Sequence, residues 1–507
     1  MEAYTSDLSH SFIQYNLGEI REKETWYQMS KNVVRIAVPT ILGQVFALLV
    51  VAINTAFVGH TGDSAKLAGV GLGTLYVNIF CQSIILGLNG AVATLVSQAY
   101  GGGNLRKCGI YLNRGRVVAI IAFMPILIAL LLCEDFMVAI GMDKRASYYA
   151  GIYTYLLIPA MFFHSQFDAT RQYLNALNKA HIVMYVMVLT SALHLVWCSL
   201  LTQYWTLDVV GVSLATLITY FMNFALITIY SRYDKEVRKS FFFFTKESFE
   251  DLGDYLRIGV PSCCMLCLEW WSFEVLALMA GYISVDATGA HVIILNTHVV
   301  VIMVPLGAQV ATIVCVGTAM GEGLAKKASQ YFKLIALYSF LLNLTLGIVI
   351  FFTRELLARV FTSAQNLLPL IEEGYIVMIL ILLIHGFAMV QAGAVRGLGK
   401  LSMATGMVFF AFYVVSLPCA YLFAFTLKMG MVGLWWGVVA GSISEVILYF
   451  IFLRYWCNWK RLALEISDKM RSKNVSPNIS FKRADLMEPM LGTNYQQNHH
   501  QKRKDSN

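Results

Sequence analysis

The sequence predicts an all-α polytopic membrane protein, with twelve transmembrane helices in two parallel six-helix bundles related by a pseudo-two-fold axis along the membrane normal. Three observations carry this: an apolar composition, a series of long apolar runs, and a repeat of the first half in the second. Of 507 residues, 58% are hydrophobic and 13% charged, and mean hydropathy is +0.64. A typical soluble domain is ~25% charged and cannot hide so much apolar surface. Apolar runs near ~20 residues recur from Val33 to Trp456, and each is long enough to cross a hydrocarbon core about 30 Å thick.

The runs are expected at 33–58, 70–97, 110–133, 149–170, 181–203, 210–231, 256–281, 288–314, 330–352, 370–395, 402–424 and 431–455. The polar stretch from Arg232 to Asp254 divides them six and six. The expected organisation is therefore an N-terminal segment 1–32, a first bundle 33–231, a linker 232–254, a second bundle 255–456 and a basic, disordered tail 457–507. The first thirty residues carry Glu19, Arg21, Glu22, Lys23 and Glu24 around no short apolar core, so no cleaved signal peptide is expected.

Basic residues fix the orientation. With both termini in the cytosol, 32 of the 38 lysines and arginines lie inside, and only Lys66, Lys144, Arg145, Arg354, Arg359 and Lys428 lie outside. That placement accounts for the net charge of +8 without a nucleic-acid partner. The tail cluster of Arg471, Lys473, Lys482, Arg483 and Lys502 to Lys504 faces solvent or anionic membrane lipid. Asn474 and Asn478 fit the glycosylation pattern but should stay cytosolic and unmodified. Eight of the ten cysteines fall in or at the ends of spans as small apolar residues, and no disulfide is expected. Cys263, Cys264 and Cys267 beside Glu269 read as close helix packing, because no second metal-ligating group is visible.

The repeat is read from five matches in the same order. Arg35 to Pro39 (RIAVP) answers Arg257 to Pro261 (RIGVP) at an offset of 222, and Val92 to Val96 (VATLV) answers Val310 to Val314 (VATIV) at 218. Ala99 to Gly103 answers Ala319 to Gly323 at 220, Leu177 to Lys179 answers Leu398 to Lys400 at 221, and Val210-Gly211 answers Val432-Gly433 at 222. Six spans per copy is even, so both copies enter from the same side and the repeats are parallel. Pro39, Pro159, Pro261, Pro305 and Pro418 interrupt spans, where bending and ordinary packing are both open readings.

The acids inside spans are few: Asp168, Glu269, Glu274 and Glu445. Each costs about 3 kcal/mol on insertion scales and so calls for a reason. Asp168 stands three residues before Arg171, the spacing of a structural ion pair. Glu269 has no such neighbour and is flanked by Trp270, Trp271 and Phe273, a suitable wall for an organic cation. Glu274 lies about 140° further round an ideal helix and faces either the site or a neighbouring helix. Glu445 is either the partner of a basic group or a lining residue. In the first bundle Gln44, Asn54, Asn78, Gln82, Asn89 and Gln166 line a cavity or bridge helices.

Seven stretches stand in order along the spans: Phe57 to His60, Leu67 to Gly73, Gly90 to Gly103 (GAVATLVSQAYGGG), Cys267 to Glu274 (CLEWWSFE), Met303 to Gly307, Ala394 to Gly399 and Val432 to Trp435. On these the chain resembles, from about Val33 to Tyr455, the eukaryotic branch of the multidrug and toxic compound extrusion (MATE) family. The resemblance implies a secondary antiporter that exports organic cations or xenobiotics in exchange for protons by alternating access, with sodium left open as the coupling ion. A plasma or vacuolar membrane is expected, and no cofactor or enzymatic activity, because no nucleophile with an adjacent base and no metal-ligand set is visible. Glu269 matches the family's acid on the seventh span, and Glu274 a second acid of its animal-type members. Two positions depart. The tenth-span acid, eleven residues before Arg396, is His385 here, which can carry a proton. The animal-type eighth-span acid falls on Asn296. A lipid-linked oligosaccharide flippase and a non-transporting receptor or channel are the rival readings. The first would want a larger, more basic cavity, and the second makes no use of duplication with intramembrane acids.

Overall fold

The structure, a computed structural model, describes residues 24–471 apart from 363 and 366. Asn474, Asn478 and the tail basic residues beyond Arg471 lie outside the described residues. Twelve long helices follow one another: α1 (Trp26–Gly59), α2 (Ser64–Gly101), α3 (Leu105–Leu131), α4 (Lys144–Ala176), α5 (Ala180–Tyr204), α6 (Asp208–Tyr233), α7 (Leu252–Ile283), α8 (Val285–Glu322), α9 (Ala325–Phe361), α10 (Leu368–Gly397), α11 (Leu401–Thr426) and α12 (Gly430–Trp456). Among the described residues there is no strand.

Eleven of these are apolar enough to be recognised as membrane spans from composition alone. The exception is α4, which carries Lys144, Arg145, Gln166, Asp168 and Arg171 and buries the last three. Its polar face looks into the bundle, so hydropathy undervalues it. Elsewhere the outer surface is apolar, as at Ile121, Met124 and Ile128 of α3 or Phe352 of α9, which suits lipid rather than water.

α1 begins at Trp26, inside the segment expected to precede the membrane. Thr25 starts it with a capping box, accepting from the Gln28 backbone at 3.3 Å while the Gln28 side chain accepts from its own N–H at 2.8 Å. The tail expected to be disordered also opens on a helix, α13 (Trp459–Arg471). Leu462, Ala463, Ser467 and Met470 form its buried face, a helical spacing that the tail's overall charge masks. α13 lies across the ends of α2, α8 and α9. Asn104 Nδ2 donates to Met470 O at 3.1 Å, and Arg471 to Glu322 O at 3.3 Å, so this helix touches both halves of the molecule.

The repeat seen in the sequence recurs in the packing. Within the first half α1 packs on α5, α2 on α3 and α4, and α4 on α6. Six helices on, α7 packs on α11, α8 on α9 and α10, and α10 on α12. The halves meet through α1 on α8, α7 on α2, and α2 on α8. Exchanging each helix for its counterpart leaves this set unchanged, as a two-fold axis requires.

Candidate transport site

In the second half three helices bring three ionisable side chains together. Glu269 of α7, His385 of α10 and Glu445 of α12 are all buried. His385 Nδ1 is 3.2 Å from Glu445 Oε2, and its Nε2 is 3.3 Å from Glu269 Oε1. The first contact is an aligned hydrogen bond. The second is an ion-pair approach off the ring N–H direction. Each carboxylate alone would be an expensive buried charge, and a histidinium between them offsets much of that cost. With His385 protonated the cluster carries one net negative charge, and one more proton neutralises it.

Around the cluster, Phe412 sets its edge against His385, with ring centroids 5.9 Å apart. Phe412 sits in a π-helical turn of α11, Phe410–Ser416, the kind of local widening that often marks functional positions. Phe273 of α7 lies 6.4 Å from Phe412 and 5.7 Å from His298 of α8. On the other side Tyr449 stands four residues beyond Glu445 and is fully buried. Arg396 donates to Ser262 Oγ at 3.3 Å. It also reaches the first half: a Cβ on Gly90 of α2 would fall 2.3 Å from Arg396 Nη2.

The structure corrects the sequence reading at several residues. Glu269 is not without a basic partner; His385, on a helix distant in sequence, stands beside it. Glu445 takes the first of its two expected alternatives, pairing with a basic group. Trp271 is 38% exposed and points away, because successive helical residues turn by about 100°. Trp270 is half-buried, and of the three aromatic neighbours Phe273 is the one joined to the cluster's ring contacts. Glu274 is half-buried, with no hydrogen-bond partner among the described residues. Asn296 is exposed, while the buried polar residues of the Val285–Val301 stretch of α8 are His291, Thr297 and His298. Tyr449, His291 and His298 were not singled out from sequence. Their signal would have been helical spacing: Glu445 and Tyr449 are four apart, and His291 and His298 seven apart.

The first half holds a second polar group of different character. Arg171 donates to Asp168 Oδ1 through Nη2 at 2.5 Å and through Nε at 2.9 Å, the expected structural pair. Asn89 donates to Asp168 Oδ2 at 2.9 Å, and Arg171 also donates to Gln44 Oε1. Gln44 therefore bridges helices. Asp168 has its charge and both oxygens satisfied from α2 and α4.

A MatE family profile matches residues 23–200 and 261–422, most of the chain. The chain belongs to the MatE family. Multidrug and toxin extrusion protein 1 of Xenopus tropicalis is 28% identical over 458 residues, covering 90% of this chain and 79% of that protein. Protein DETOXIFICATION 16 of Arabidopsis thaliana is 26% identical over 460 residues, covering 90% and 94%. The crystal structure of a eukaryotic MATE transporter superposes with a TM-score of 0.83 at 24% identity, over 88% of this chain and 99% of that one. The all-helical, two-bundle architecture is thus the MatE fold. As a MatE member this is a multi-pass membrane protein of a family of multidrug and toxin extrusion transporters.

Proposed function

We propose that this protein is a secondary active antiporter, exporting organic cations or xenobiotics in exchange for protons by alternating access, with both termini cytoplasmic. The observation that carries the reading is the Glu269–His385–Glu445 cluster: a buried anionic site, walled by aromatic rings, that one proton can neutralise. A cation lodged against Glu269 is held by charge and by the faces of Phe273 and Phe412. When the site opens outward and takes up a proton, the attraction is lost and the cation leaves. The neutral cluster then returns at lower cost through the low-dielectric interior. A flippase for a phosphate-bearing lipid would call for cationic lining, and this cluster is anionic.

The test is reconstitution into vesicles with proton and sodium gradients imposed separately and a panel of fluorescent organic cations offered. Cation movement should follow the proton gradient. Movement that follows only sodium, or neither gradient, would sink the proposal.

A further inference from the structure

The Glu269–His385–Glu445 cluster is deep in the second bundle, and a row of buried polar atoms runs toward it along α8 from the end where α7 joins α8. His291 and His298 are 1% and 3% exposed, and none of their four ring nitrogens has a hydrogen-bond partner among the described residues. Trp435 of α12 lies between them, with ring centroids 5.6 Å from His291 and 5.9 Å from His298. Its indole Nε1 is likewise buried without a partner. Beyond His298 come Phe273 and Phe412, and then His385. His298 and His385 lie within electrostatic reach of each other.

Buried polar groups are nearly always hydrogen-bonded, so five such atoms in one row require an explanation. Packing alone is a poor one, because an apolar side chain would fill the same space without the cost of unpaired nitrogens. Position is the second observation. His291 follows exposed Asp286 by about 7.5 Å of helix rise, and His298 is about 10.5 Å deeper on the same face. The row therefore runs from near the helix end toward the cluster, with Phe273 and Phe412 flanking the last step from His298 to His385.

We propose that His291 and His298 carry protons along α8 from the α7–α8 end to the Glu269–His385–Glu445 cluster. This rests on the antiport reading and adds the route. Each imidazole accepts a proton on one ring nitrogen and releases one from the other, so one proton is delivered per passage and the rings return to neutrality after reorienting. The relay requires water in the gaps between the rings, held by the unpartnered nitrogens on either side. The helices packed against this stretch of α8 carry the titratable groups Glu269 and Glu274 on α7, Tyr375 and His385 on α10, and Glu445 and Tyr449 on α12. Tyr375 is engaged at 3.0 Å with Thr297 Oγ1. On α9, Arg354 and Glu355 sit at the far end, where Arg354 is 3.9 Å from Glu372 and Glu355 is 2.8 Å from Arg359.

The experiment compares two modes in proteoliposomes of the full chain, using one fluorescent organic cation that the wild type transports. Cation-for-cation exchange at zero gradient needs the binding site and the conformational change but no net proton. Proton-driven uptake needs the proton route as well. His291→Gln and His298→Gln should lose proton-driven uptake and keep the wild-type exchange rate. His298→Glu, which restores a titratable group, should regain part of the proton-driven uptake with a shifted pH profile. Equal loss in both modes would mean that the histidines only support packing, and no loss in either would mean protons arrive elsewhere. Each result overturns the route while leaving antiport standing. A wild type indifferent to the proton gradient overturns both.

Discussion

Glu445 Oε2 and His385 Nδ1 are 3.2 Å apart, and the other nitrogen of the same ring faces Glu269. The imidazole is therefore gripped by carboxylates from two helices while standing on a third. Motion of α7 relative to α10 and α12 would change the Glu269 contact and leave the Glu445 contact in place, since α10 and α12 pack along their length. On the proposed antiport mechanism Glu269 is then the exchangeable side of the cluster and Glu445 the fixed one.

The two acids should then respond differently to neutralisation. Glu269→Gln should abolish gradient-driven cation transport while the protein stays folded and inserted. Glu445→Gln should instead keep cation transport but shift its pH profile, because it removes the carboxylate that His385 Nδ1 contacts at 3.2 Å. Glu274→Gln should impair transport less than Glu269→Gln, since Glu274 stands outside the cluster. Transport rates over a range of pH in vesicles check all three, and wild-type behaviour of Glu269→Gln would move the exchange site elsewhere.

Asp168 should behave as a structural acid. Asp168→Asn leaves the largely buried guanidinium of Arg171 without its counter-charge, and breaking a buried pair from one side costs about 3 kcal/mol or more. The variant should melt at lower temperature in detergent and express poorly. Replacing both residues, Asp168→Asn with Arg171→Gln, should recover much of the loss. A double variant no more stable than the single one would show that the charges matter separately.

Topology offers a direct check of orientation. Tyr282, 86% exposed where α7 meets α8, should react as a cysteine with an impermeant maleimide added outside intact cells. A cysteine at Lys460, on α13, should react only after permeabilisation. The reverse pattern would invert the assignment of the termini. Cys264, the exposed native thiol, is first replaced by alanine.

Most of the fold was legible because the membrane imposes length and apolarity on each span, and duplication leaves matched segments at a common offset. The α4 span was legible as the apolar run 149–170, although its buried face is polar and lowers its hydropathy. In the site, local pattern found Glu269 from its aromatic neighbours and the Asp168–Arg171 pair from its three-residue spacing. His385 came through the family resemblance, as the occupant of an acid's position. Its pairing with Glu445 could not be found that way, because the contact joins α10 to α12 and neither residue marks the other in the sequence. The helix of the tail was hidden for another reason: an amphipathic face of a few small and apolar residues is outvoted by surrounding charge.

The crossing of α2 and α8 gives the last and sharpest expectation. A Cβ on Gly101 would fall 2.0 Å from Thr318 O, and a Cβ on Gly321 would fall 2.0 Å from Gln98 O. Each residue of one contact lies 220 positions from its counterpart in the other, so these are two copies of one contact related by the pseudo-two-fold. Backbone meets backbone here, and no side chain can move aside to make room. Gly101→Ala and Gly321→Ala should therefore force the halves apart at this end, each costing more than the ~1–3 kcal/mol of ordinary overpacking. Because the contacts are equivalent, the two variants should lose thermal stability and transport by similar amounts. Gly406→Ala, where an added Cβ meets nothing within 4 Å, serves as the control and should match or exceed the wild type in stability. Tolerance of alanine at Gly101 with failure at Gly321, or the reverse, would show that the two halves are not joined by a symmetric contact.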